Sequence, residues 1–122
     1  MTPPSQEEAG NQARELLLLR ALFRADATTA VEQFAGEPVI DAPRVGRVVG
    51  AAAMERLACG WPGLFRSDSP LEIELRCQTA ACGRSISEVV VPLDLPHATI
   101  RLLVGVMGTF SDDGSLSEAR IY

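Results

Sequence analysis

The chain has 122 residues, 47% of them hydrophobic and 22% charged, enough for one domain with its own core and too few for two. Its formal charge is −5 and its basic residues stand singly, so it lacks the clustered positive footprint that nucleic acid or an anionic membrane surface requires. All eleven basic residues are arginine, and without a lysine no Schiff base can form on a side-chain amine.

In chain order, residues 1–10 are polar and contain Pro3-Pro4, which predicts a flexible tail ahead of a single domain over residues 11–122. From Asn11 a helix is expected, carrying Leu16 to Leu19, Ala21, Leu22 and Phe23. Four consecutive leucines spread over most of a helix's circumference, so this helix should be covered on more than one side. Asp26 reads as the N-cap of a second helix, Ala27 to about Phe34, closed by Gly36. Pro38 to Asp41 is a short β-branched strand that breaks at Pro43 and Gly46. Gly50 to about Cys59 is a third helix with Met54, Leu57 and Ala58 inward, ended by Gly60-Trp61-Pro62-Gly63.

The remainder reads as strands. Leu71 to Gln78 alternates apolar and polar residues with the period of a half-buried strand. Ile86 to Leu93 is β-branched, and Ala98 to Phe110 is a long strand whose Gly105 and Gly108 predict a bend or bulge. Asp112-Asp113-Gly114 is a hairpin turn before a last strand from Leu116. Helices first and antiparallel strands after give an α+β domain, its helices on one face of a curved sheet, with a cavity between them.

Cys59, Cys77 and Cys82 have no C-x-x-C spacing and are expected to be free thiols; with His97 the sole histidine, neither a metal nor a cofactor is expected. The leucine run falls far short of the roughly 20 residues of a membrane helix. Met1 to Glu8 is acidic and lacks the plan of a signal peptide, so the expected compartment is the cytoplasm.

Asp41 lies between apolar neighbours, where a carboxylate is either anchored by hydrogen bonds or desolvated so that it can move protons. The first case is an Asx turn with the backbone near Ala42-Pro43, the second a general base or polar pocket anchor. Arg44 and Arg47 could bind an oxyanion, although arginines in turns are mostly solvated. Glu88 shares a face with Ile86 and Val90 and is a second pocket acid if that face lines the cavity. His97 is a low-ranked base in a loop. Trp61 is either a lid over the cavity mouth or a plug beneath the third helix.

Leu22 to Ala27, Asp41 to Gly50 and Phe110 to Leu116 together resemble the NTF2-like superfamily, which includes ketosteroid isomerase, limonene epoxide hydrolase and SnoaL-like polyketide cyclases. That resemblance implies a cone in which N-terminal helices pack on a curved, mainly antiparallel sheet around a pocket. It places Asp41 at the isomerase's catalytic base and puts the two oxyanion partners at Leu18 and Val106, both apolar, so that oxyanion hole is missing. The Asp-Arg-Asp set of the epoxide hydrolases is not found either. Pocket-lining positions are then Leu18, Leu22, Phe34, Met54, Trp61, Glu88, Leu102, Val104, Val106 and Ala119. The function expected is a small cofactor-independent isomerase, cyclase or hydrolase acting on an apolar small molecule through Asp41. The alternative is a non-catalytic module for a hydrophobic ligand or for dimerisation. Pairing of outer sheet faces, through Leu71 to Gln78 and Ala98 to Phe110, would make a homodimer.

Overall fold

The computed structural model describes residues 6–43, 45–60, 73–95 and 97–122. Helix α1, Gln6–Phe23, opens within the stretch read as a tail. Its Leu18, Leu19 and Leu22 are buried, whereas Leu17 stands 45% exposed, so the packing stops short of the whole circumference. Helix α2, Ala27–Glu32, is capped by Asp26, whose carboxylate accepts from the Thr29 backbone N–H at 3.1 Å and the Thr29 hydroxyl at 2.6 Å.

The isolated strand expected around Asp41 is half of a hairpin. β1, Val39–Ala42, pairs antiparallel with β2, Gly46–Val49, across a turn that Gly46 completes at φ +81°. Gly50, at φ +96°, donates its N–H to the Pro38 carbonyl and starts α3, Ala51–Gly60, which buries Met54, Leu57 and Ala58.

β3, Glu74–Ala81, and β4, Arg84–Leu95, are joined by Cys82 and Gly83, both at positive φ, the conformation of a type I′ hairpin turn. β5, Ala98–Phe110, and β6, Leu116–Ile121, complete a six-stranded sheet of order β2-β1-β6-β5-β4-β3. Only the β1–β6 pairing is parallel, and the sheet is curved and unclosed. The β4–β5 ladder runs from Leu95–Ala98 to Arg84–Thr109 without a register shift, so neither Gly105 nor Gly108 marks a bulge in it. The shift lies one residue on, between Thr109 and Phe110 against β6.

Side chains alternate across this sheet. Ser85, Ser87, Val89 and Val91 of β4 and Val104, Val106, Gly108 and Phe110 of β5 are buried on the inner face, where the helices pack, while Ile86, Glu88 and Leu103 are exposed on the outer face. The exit of α2 is stitched to β6: Leu116 donates to the Gln33 carbonyl and Ala35 to that of Leu116. No helix among the described residues is long and apolar enough to cross a membrane.

Candidate active site

Asn11, Glu15, Leu18, Leu19 and Leu22 fall at i, i+4, i+7, i+8 and i+11 of α1, one stripe along the helix, and all are buried. The apolar face of α1 therefore carries two polar residues, and Glu15 is wholly removed from solvent. A carboxyl group in that position must find hydrogen bonds. It finds them on the inner face of the sheet: the Ser87 hydroxyl donates to Oε2 at 2.5 Å, the Ser85 hydroxyl donates to Oε2 at 3.3 Å, and the Gly108 backbone N–H donates to Oε1 at 3.0 Å.

Each partner is placed by the two-residue period of its strand. Ser85 and Ser87 are successive inward positions of β4, and Gly108 faces Ser85 across the β4–β5 ladder. A β-carbon on Gly108 would lie 2.9 Å from Glu15 Oε1, 2.8 Å from Leu116 Cδ2 and 2.9 Å from Phe110 Cε2. Glycine is thus what lets the carboxylate reach the strand's backbone. Behind Ser87, Gln78 of β3 donates its amide N–H to the Ser87 hydroxyl at 3.0 Å. Asn11, one turn earlier on α1, is buried as well.

Burial pushes the Glu15 carboxyl up to about 7, against the lowering effect of its bonds from Ser87, Gly108 and Ser85. Among the described residues no cation pairs with it. The two serines converge on Oε2, and among the described residues Oε1 accepts from Gly108 alone, which leaves it a second lone pair. Such a carboxyl exchanges a proton near neutral pH.

Asp41 is differently situated. It lies beside Arg47 of β2 and Arg120 of β6 in the sheet register. Arg47 donates to both its oxygens, at 3.1 and 2.9 Å, and Arg120 Nε stands 3.7 Å away. The Arg47 hydrogen bonds hold its carboxyl below the usual aspartate value. Neither the desolvated base nor the Asx turn expected from the sequence is what this geometry forms; the partners are guanidinium groups on adjacent strands. Arg47, considered as an oxyanion binder, is occupied by Asp41 and also approaches Glu118.

Of the expected pocket residues, Leu18, Leu22, Phe34, Met54, Val104, Val106 and Ala119 meet in one buried cluster, with Leu102 packed against it. Glu88 does not join them, because β4 turns Ser85 and Ser87 inward and Glu88 outward to solvent. His97 is exposed in the turn between β4 and β5. Arg44 and Trp61 lie outside the described residues. Glu15 itself was legible as the one charged residue on the stripe of Leu18, Leu19 and Leu22, and Ser85 and Ser87 as a polar alternation inside a β-branched run.

No family model matches the chain, and no curated protein matches it. Solved structures do. TerC, co-crystallised with polyporic acid, superposes with a TM-score of 0.71 at 12% identity, over 93% of this chain and 90% of that one. An NTF-2 like protein from Burkholderia xenovorans LB400 matches at 0.65 and 15% identity, over 97% and 85%. This chain has the NTF2-like fold. A further match is SalBIII, an epoxide hydrolase/cyclase-like enzyme in pyran ring formation in the polyether salinomycin, at 0.69 and 15% identity over 97% and 93%. In the NTF2-like frame, Leu18 and Val106, the positions assigned to the isomerase's oxyanion partners, are buried and apolar. Among the described residues no group of three or more His, Cys, Asp or Glu side chains is arranged to hold a metal.

Proposed function

We propose that the protein takes a small apolar molecule into its NTF2-like cone and exchanges a proton with it through Glu15, as a cofactor-independent isomerase, cyclase or hydrolase. The observation that carries this reading is a wholly buried carboxyl with a pKa of about 7, held by three donors and unpaired with any cation among the described residues. As carboxylate, Glu15 accepts a proton on Oε1 from an acidic C–H group or from a water or hydroxyl attacking the substrate; as acid, it returns the proton. Ser85, Ser87 and Gly108 hold the group in place through both halves of that cycle. SalBIII, an epoxide hydrolase/cyclase-like enzyme, and TerC, co-crystallised with polyporic acid, support a small-molecule substrate by likeness of fold. The base role expected of Asp41 passes to Glu15, since a carboxylate tied to two guanidinium groups is a poor proton acceptor.

The test is a turnover screen with apolar ketones, lactones and epoxides, wild type against Glu15→Gln. Loss of one positioned acid or base costs about 10²-fold to 10⁴-fold in rate, so Glu15→Gln is expected to lose turnover by that factor and still bind ligand. Undiminished turnover in Glu15→Gln would contradict the proposal. A second reading, a non-catalytic binder of apolar ligands, draws on Leu18 and Val106, which offer a developing oxyanion no donor. It predicts ligand-induced stabilisation without turnover in the same screen. We also propose that the outer sheet face, with Ile86, Leu103 and Tyr122 exposed, pairs with a second copy of the chain.

A further inference from the structure

We propose that Gln78 is a positioning residue for Glu15, acting through Ser87: its amide N–H fills the acceptor side of the Ser87 hydroxyl and so commits that hydroxyl's proton to the carboxylate. The inference rests on the reading of Glu15 as the proton-exchanging group and adds what sets its readiness to exchange.

A serine hydroxyl has one proton to give and lone pairs with which to accept, and by itself it can turn either way. Ser87 stands between two groups. Gln78 faces it directly in the β3–β4 register and donates to its oxygen at 3.0 Å, and Ser87 in turn donates to Glu15 Oε2 at 2.5 Å. Ser85 supplies the internal comparison. Its hydroxyl reaches the same Oε2 at 3.3 Å, and no described side chain donates to its oxygen. Successive hydrogen bonds polarise one another, so the hydroxyl that receives a donor is the better donor to Oε2.

No other titratable group competes for this role among the described residues. β3 presents Gln78, β4 presents Ser85 and Ser87, and β5 presents the Gly108 N–H. Arg14, next to Glu15 in the chain, turns instead to Gln33 Oε1 at 3.5 Å. The burial that raises the Glu15 pKa is therefore opposed by a chain of neutral donors, of which Gln78 is the outermost and stands on a half-buried position of an edge strand.

The experiment is a carboxyl-carbon NMR titration of Glu15 in wild type, Gln78→Met, Ser87→Ala and the double variant, with Gln78→Leu as a second probe of the same position. Methionine keeps the length of glutamine and removes its donor. Gln78→Met is expected to raise the Glu15 pKa by about 0.5, the order of one neutral hydrogen bond. In the Ser87→Ala background the same substitution is expected to add nothing, since its effect passes through Ser87. An unmoved or lowered pKa in both Gln78 variants, or an equal shift with Ser87 absent, would overturn the proposal. A lowered pKa is what an amide presenting Oε1 to Ser87 would give, because it would draw the proton away from Glu15. Failure here leaves the proposed function standing, whereas a wild-type Glu15 titrating near 4.5 would remove that function instead.

Discussion

At Glu15 the folded protein holds a proton more tightly than the unfolded chain does, because burial raises the carboxyl from 4.5 to about 7. The sign follows from linkage: where the native state binds more protons, stability falls as pH rises. This contribution is fully present below pH 4.5 and is lost as pH climbs to about 7, a change on the order of 3 kcal/mol. Urea unfolding at pH 5 and pH 8 is expected to show the decline, and Glu15→Gln to flatten most of it; equal slopes in the two proteins would count against a buried, titrating Glu15. Asp41, whose pKa is lowered, acts in the opposite sense, with stability lost as pH falls through its folded value. Asp41→Asn is expected to leave turnover and the Glu15 titration unchanged, and a loss of turnover there would return the base role to Asp41. The sequence directed suspicion to Asp41 because a carboxylate between apolar residues of a strand is conspicuous. It hides Glu15 because four consecutive leucines spread round most of the helix and draw attention from the one stripe, through Leu18, Leu19 and Leu22, on which Glu15 lies.

Among the elements, α1 and β5 are locked together by one missing side chain. Gly108→Ala would drive a methyl into Glu15 Oε1, Leu116 and Phe110 at under 3 Å, with cost by overpacking of about 1–3 kcal/mol. The same variant is expected to raise the Glu15 pKa above its wild-type value, read by NMR, since the Gly108 N–H that lowers it is no longer reachable; a titration unchanged in Gly108→Ala would show that the close approach is unimportant. α2 depends on its cap, and Asp26→Ala is expected to lower the urea midpoint of unfolding. Element identity was largely readable: the Asp26 cap, the third helix and the span Ala98 to Phe110 follow from capping chemistry and periodicity. β2 was not, because Gly46 to Val49 is too short to show alternation and becomes a strand only by pairing with Val39 to Ala42. The sequence leaves the inward face of β4 open for a related reason. Ile86 and Val90 look like core residues and Ser85 and Ser87 do not, yet the register with β5 turns the serines towards α1.

At the level of the whole molecule, the described helices pack on one face of the open sheet, and Ile86, Glu88 and Leu103 of the other face are exposed. Ile86, Leu103 and Tyr122 stand 46%, 65% and 61% exposed on that outer side, with Glu74 and Arg101 paired at 2.6 Å beside them. Leu103→Glu is expected to convert a dimer to a monomer in sedimentation analysis, and a wild-type chain already monomeric at high concentration would contradict pairing through this face. The cone's order of helices and strands was legible from segregation of patterns along the chain, whereas its polar centre depends on residues 15, 78, 85, 87 and 108, which only the topology brings together. That centre is tested most directly by the pH titration of the Glu15 carboxyl carbon in the wild-type protein, with Glu15→Gln assigning the resonance. A midpoint near 7 is expected; a midpoint at or below 4.5 would make Glu15 a solvated or purely structural carboxylate and contradict the account.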